Sequence, residues 1–315
     1  MRSFHKTFVT IFLLMLPPLF WAGNAIVGRL MVGVIPPLTL NFLRWAIALL
    51  LLLPFSYSLF FKTSVFMPLW RRYLALGFFG IGCYNALQYM ALVTSSPINV
   101  SLVTSSIPVF MLLVGFFFFG VTVRLKAALG VGLSILGVVV VVSRGDLAAL
   151  FSMNLVAGDL LMVLASFTWA LYSWLLVRPG PHPDPQSLKD HWIHFLFVQI
   201  AFGVACSFVF ALLEWAWLQE PVIELIQWGP SLALAALYVA IFPGIVAFRA
   251  WGLAVERVGP AFAGVVVNTT PLITALLSMV FLNETPEPYH MLAFALILGG
   301  IVVFQWGRFS DLGRT

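Results

Sequence analysis

Charged side chains are scarce in this chain. Asp, Glu, Lys and Arg make up 9% of its 315 residues, against about 25% in a typical soluble domain. With 62% hydrophobic residues and a mean hydropathy of +1.06, a water-soluble fold of this size has too little polar surface to cover its apolar side chains. No polar stretch is long enough to form a separate soluble domain. Cysteine is nearly missing. Cys83 and Cys206 both lie in apolar stretches, which gives neither a disulfide framework nor metal-ligand spacing and reads as two buried thiols. Basic residues outnumber acidic ones, 16 to 11, but they form no patch, so no nucleic-acid partner is expected. The histidines (His5, His182, His191, His194, His290) fall in tails, loops or near helix ends, and only Asp190 stands beside His191. No cluster for metal or acid–base chemistry results, which argues against a membrane-embedded enzyme. Neither charged rings nor a filter loop is visible, which argues against a channel.

Long apolar runs fill the chain instead. A spanning helix needs about 20 mostly apolar residues. Ten such spans are expected, near 8–29, 38–60, 72–93, 99–120, 125–143, 157–177, 192–214, 231–252, 260–282 and 288–306. The first run, with Arg2 and Lys6 before it, imitates a signal peptide, but it continues to about Arg29 and is long enough to span. Pro17, Pro18, Pro54, Pro108, Pro243 and Pro271 lie in or near these spans, where neighbouring helices can satisfy the freed backbone groups. Gly77, Gly80, Gly82, Gly130, Gly132, Gly299 and Gly300 would allow close helix contact.

The loop charges alternate. One side of the membrane holds Arg2, Lys6, Lys62, Arg71, Arg72, Arg124, Lys126, Arg178, Lys189, Arg257, Arg308 and Arg314; the other holds Arg29 and Arg144, with acidic Glu214, Glu220, Glu224, Glu284 and Glu287. Twelve basic residues against two place both termini in the cytoplasm by the positive-inside rule.

The two halves repeat each other. VTSSIPVFMLLVGFFFFG at 103–120 and VVNTTPLITALLSMVFLN at 266–283 both set two polar residues before a proline, at an offset of 163. ILGVVVV at 135–141 and ILGGIVV at 297–303 match at an offset of 162. QYMAL at 88–92 pairs with RAWGL at 249–253, and Trp21-Ala22 with Trp169-Ala170. The halves are 1–145 and 146–315. Five spans is an odd number, so the halves enter the membrane with opposite orientation. The expected fold is therefore an all-α membrane protein of ten transmembrane helices in two inverted five-helix repeats, an architecture of secondary transporters that work by alternating access.

Polar groups inside spans are costly and usually face protein or a wet cavity. The candidate substrate-binding residues are Trp21, Asn24, Tyr84, Asn85, Gln88, Ser105, Trp169, Tyr172, Tyr238 and Asn268. Two readings stand. They line a pocket of aromatic walls with a few amide and hydroxyl partners, or they bond across packed helices. Arg44 and Arg249 are the basic residues inside spans. Either can hold a carboxylate, but each sits toward a span end, where snorkelling to the interface is the favoured expectation. No acidic residue occupies a span centre; Asp159 and Glu256 come nearest. That removes the obvious counter-charge for a cationic substrate and the obvious carboxylate for proton coupling.

The pattern resembles the drug/metabolite transporter superfamily, and in it the ten-helix EamA-type exporters. Trp21-Ala22, Pro37-Leu38, Leu43-Arg44, the Ser-Ser-Ile-Pro and Asn-Thr-Thr-Pro segments and Leu282-Asn283-Glu284 carry the resemblance. The first half departs from it, since Val121 rather than an acidic residue follows Gly120. The resemblance implies a cavity lined by spans 1, 3, 4, 6, 8 and 9. It also implies export of amino acids, with the aromatic amino-acid type closest, or of related small metabolites across a bacterial inner membrane; the lack of span-centre carboxylates makes a neutral or zwitterionic substrate the better fit. Partners are then a small-molecule substrate and the lipid bilayer, with no cofactor. A nucleotide-sugar or phosphate-ester carrier is the alternative, though such anions call for several basic residues at the cavity and only two span arginines exist.

Overall fold

A computed structural model describes residues 2–61, 66–120, 125–146, 156–177, 184–185, 188, 191–258, 266–267 and 269–312. Among the described residues, seven helical runs are long and apolar enough to cross a membrane: α1 (Phe12–Leu30), α2 (Pro37–Leu59), α3 (Met67–Thr94), α4 (Pro97–Phe119), α6 (Ala157–Val177), α7 (Trp192–Trp217) and α8 (Pro230–Ala254). Three shorter apolar helices take their places between and after these: α5 (Ala128–Val141), α9 (Thr270–Phe281) and α10 (Pro288–Gly300). The start of the expected ninth span, 260–265, and the loop charges Lys62, Arg124, Arg178, Lys189 and Arg314 lie outside the described residues.

Helix starts follow simple chemistry. Pro37, Pro97, Pro230 and Pro288 each open a helix, where the missing N–H is no loss and φ is already helical. Ser96 caps α4 by accepting from the Asn99 N–H at 3.2 Å. Glu214, from the end of α7, caps α2: its carboxylate accepts from the backbone N–H groups of Leu38 and Thr39 at 2.9 and 2.7 Å. A carboxylate suits the positive end of the helix dipole. Gly120 ends α4 with φ +64°, a conformation that suits glycine.

The outer surface of the bundle is apolar. Phe117, Leu234, Leu276 and Val280 are each more than 60% exposed, a surface that suits lipid contact. Small residues set the inner contacts. A Cβ at Gly77 in α3 would stand 2.6 Å from the Gly203 backbone nitrogen of α7, and one at Gly300 in α10 would stand 2.5 Å from the Gly130 carbonyl. Gly132 meets nothing within 4 Å, so its expected contact is not made. Cys83 and Cys206 are free thiols and only partly buried.

Three irregular segments interrupt the helices. α4 breaks at Ser105–Ser106, between Pro97–Thr104 and Ile107–Phe119. α3 and α8 each contain a π-helical stretch, Gly77–Cys83 and Ala240–Val246. The two stretches lie 163 residues apart, the offset of the sequence match. π-helical turns inside α-helices are frequent at functional sites.

Candidate functional site

Four aromatic side chains meet in the middle of the bundle. Trp21 of α1 stands edge-on to Trp169 of α6 at 5.5 Å and tilted to Trp251 of α8 at 5.8 Å. Tyr84 of α3 lies 4.8 Å from Trp169. Pairs at these separations contribute about 0.5–1.5 kcal/mol each beyond the area they bury. The box is completed by Thr104, Ile107, Pro108 and Met111 of α4 and by Val267 just before α9. The remaining cavity is about 20 Å³, enough for about one water molecule. In this conformation the box is closed to a metabolite.

Of the ten candidates, Trp21, Tyr84 and Trp169 line this cavity. Behind them lies a buried polar network, and three more candidates belong to it. Asn24 donates to the Gln88 side chain at 2.8 Å. The Asn24 carbonyl oxygen accepts from Arg44 at 3.1 Å and from the Tyr89 hydroxyl at 2.8 Å. Arg44 also donates to Asn85 at 2.9 Å and to Tyr89 at 2.8 Å. The expected snorkelling of Arg44 is wrong. Its side chain is 1% exposed, because Asn24, Asn85 and Tyr89 from α1 and α3 draw it inward.

The other candidates serve packing in this conformation. The Ser105 hydroxyl donates to the Ser101 carbonyl at 3.2 Å. Tyr172 fills the space left by Gly80 and donates to Gln199 at 3.2 Å. Tyr238 closes against Gly23 and Phe242. Asn268 lies outside the described residues. The hydroxyls beside the two proline steps satisfy carbonyls three residues back: Ser106 donates to Val103, and Thr269 to Val266. Arg249 stacks over Trp192 at 5.0 Å. Thr104 and Met111 carried no signal in the sequence, since each reads as an ordinary span residue.

One side chain near a helix end behaves unlike its neighbours. Asp159, in the first turn of α6, is fully buried and accepts from the Ser95 hydroxyl. Another, Asp184, accepts two hydrogen bonds from Arg72 at 2.7 Å and a third from the Tyr73 hydroxyl at 3.0 Å. This pair ties the start of α3 to the segment between α6 and α7.

The chain is similar to an uncharacterized transporter of Archaeoglobus fulgidus, 29% identical over 92% of this chain and 93% of that one. It is also similar to the uncharacterized transporter YetK of Bacillus subtilis, 27% identical over 89% of this chain and 82% of the other. The uncharacterized inner membrane transporter YedA of Escherichia coli is 24% identical over 92% and 89%. A solved crystal structure shares the fold, with a TM-score of 0.61 over 95% of this chain and 97% of that chain at 22% identity. The model of the EamA-like transporter family matches residues 8–143 and again 156–306. An aromatic cavity inside a lipid-facing helical bundle is compatible with a small-molecule site in a membrane transporter, and the chain belongs to the EamA-like transporter family.

Proposed function

We propose that the chain is an alternating-access exporter of amino acids, aromatic ones foremost, or of related neutral or zwitterionic metabolites. The reading has ten transmembrane helices in two inverted five-helix repeats, residues 1–145 and 146–315, in a bacterial inner membrane with both termini cytoplasmic. The shorter helices α5, α9 and α10 complete the ten.

One observation carries the reading. The cavity draws its walls from α1, α3, α4, α6 and α8 and from Val267 just before α9. These are the six spans that the resemblance assigns to a substrate path, and they form three pairs of matching helices, one from each half. Two further observations support the repeat. The family model matches two consecutive segments of similar length, and the π-helical stretches of α3 and α8 keep the 163-residue offset. Irregular turns at corresponding places in two halves are suited to act as paired hinges. The box of indole and phenol faces suits a flat, largely apolar body.

The test is resistance. The chain is expressed in a sensitive bacterial host challenged with a panel of toxic amino-acid analogues. Resistance to aromatic analogues above the rest is the expected result. No protection against any amino-acid analogue removes the proposed substrate class.

A further inference from the structure

We propose that Arg44 is the anion receptor of the transport site: when the aromatic box opens, its guanidinium takes the carboxylate of the substrate. This rests on the carrier reading above and gives its substrate a chemical requirement and a receiving residue.

Arg44 is buried in the bundle, and a guanidinium keeps its charge there. Such a charge is stable only when paired and fully hydrogen-bonded. Among the described residues no carboxylate pairs with Arg44. Its partners are neutral dipoles: Asn24, Asn85 and Tyr89, all on Nη1 at 3.1, 2.9 and 2.8 Å. Nη1 has two hydrogens for these three oxygens, while Nε has no partner at all. The bonding is crowded on one nitrogen and missing on another.

The same protein contains the arrangement that Arg44 lacks. Arg72 gives Nε and Nη2, the two nitrogens of its side edge, to the two oxygens of Asp184, each at 2.7 Å. That fork is the strong, geometrically selective way to hold a carboxylate. On Arg44 the same edge holds the unpartnered Nε, and Nη2 packs beside Gly244 in the π-helical stretch of α8, 3.6 Å from where a Cβ there would stand, with the Trp45 ring next to it. An incoming carboxylate completes this edge and supplies the missing charge.

Arg44 also adjoins the box. Asn24 lies one turn along α1 from Trp21, and Asn85 follows Tyr84 on α3, so the network and the aromatic cavity share two helices. Trp45 bridges the two, 4.7 Å from the guanidinium and 5.3 Å from Phe248, which packs on Trp169. Both π-helical stretches border the guanidinium network, one through Gly244 and the other through the Gly80 carbonyl that accepts from Asn85 at 3.4 Å. A substrate with a carboxylate on an apolar or aromatic body fits both parts at once. A phosphate monoester would bring more charge than one guanidinium neutralises.

The experiment uses the full chain in proteoliposomes and compares phenylalanine, tryptophan and leucine with their carboxyl amides. The wild type is expected to move each acid at least about tenfold faster than its amide, the scale of a charge-assisted hydrogen bond. Arg44→Gln brings that ratio to about one. Asn85→Asp sets a resident carboxylate beside the guanidinium, and is expected to raise thermal stability while suppressing transport of the acids more than the amides. Wild type that moves acid and amide equally overturns the proposal, as does folded Arg44→Gln that keeps the ratio. If Arg44→Gln does not fold, Asn85→Asp decides, and an unchanged ratio in it overturns the proposal. A wild type that transports neither form of any compound rejects the carrier reading together with the proposal, whereas equal transport of both forms leaves the carrier standing without the anion receptor.

Discussion

Trp169 touches Trp21, Tyr84, Tyr172, Phe248 and Trp251, so the box depends on it twice, as wall and as support. It is 3% exposed, whereas Trp21 is only partly buried. The two tryptophans should therefore respond differently to truncation. Trp169→Ala leaves a cavity in packed surroundings and is expected to cost about 3–5 kcal/mol. Trp21→Ala should keep most of the stability and lose most of the transport. Thermal unfolding in detergent beside transport per folded molecule separates them. Equal loss of stability in both would make Trp21 a packing residue. At this scale the sequence singled out polar and aromatic side chains inside spans but not what each one meets. Asn24, Asn85 and Gln88 stand out because amides in an apolar span need partners. Nothing along the chain reveals that those partners include Arg44, 20 residues from Asn24 and 41 from Asn85.

The helices themselves were mostly legible. Seven of the expected spans correspond to α1, α2, α3, α4, α6, α7 and α8, because an apolar run of about 20 residues has few options other than to cross the bilayer. The prolines read as span residues were legible as well: Pro17, Pro18, Pro54 and Pro243 lie inside helical segments, and Pro108 and Pro271 stand in the first turn of one. The π-helical stretches of α3 and α8 were not. GFFGIGC and AIFPGIV contain helix-weakening residues, but that composition fits an ordinary kink equally well. What holds each wide turn is a side chain from another helix: Asn41 donates to the Gly82 carbonyl at 3.2 Å, and Trp21 to the Pro243 carbonyl at 3.4 Å. Gly77 opens the first stretch directly against α7. Gly77→Ala would press a methyl group onto the Gly203 nitrogen and Gln199 carbonyl, at 2.6 and 2.9 Å. Backbone cannot rotate away as a side chain can, so a loss of about 1–3 kcal/mol is expected. An unchanged melting temperature in detergent would show that α3 and α7 are not held at this distance.

At the scale of the whole molecule, orientation follows from charge. Alkaline phosphatase fused after Thr315 should be inactive and a fluorescent protein fused there should glow, because both termini are expected on the cytoplasmic side. An active phosphatase fusion reverses the orientation and with it the direction in which each end opens. The closed box also places this conformation within a transport cycle. At about 20 Å³ it must widen to admit any metabolite. The sequence by itself determined the solvent of this protein and the places of its long helices, because these depend on composition and on order along the chain. Only the tertiary structure decided that three tryptophans and a tyrosine close one box, that Arg44 is buried behind it, and that Ser105 and Tyr172 serve packing in this state. Those outcomes depend on which face each helix turns toward its neighbours, and in spans apolar on nearly every side the hydrophobic pattern does not mark that face.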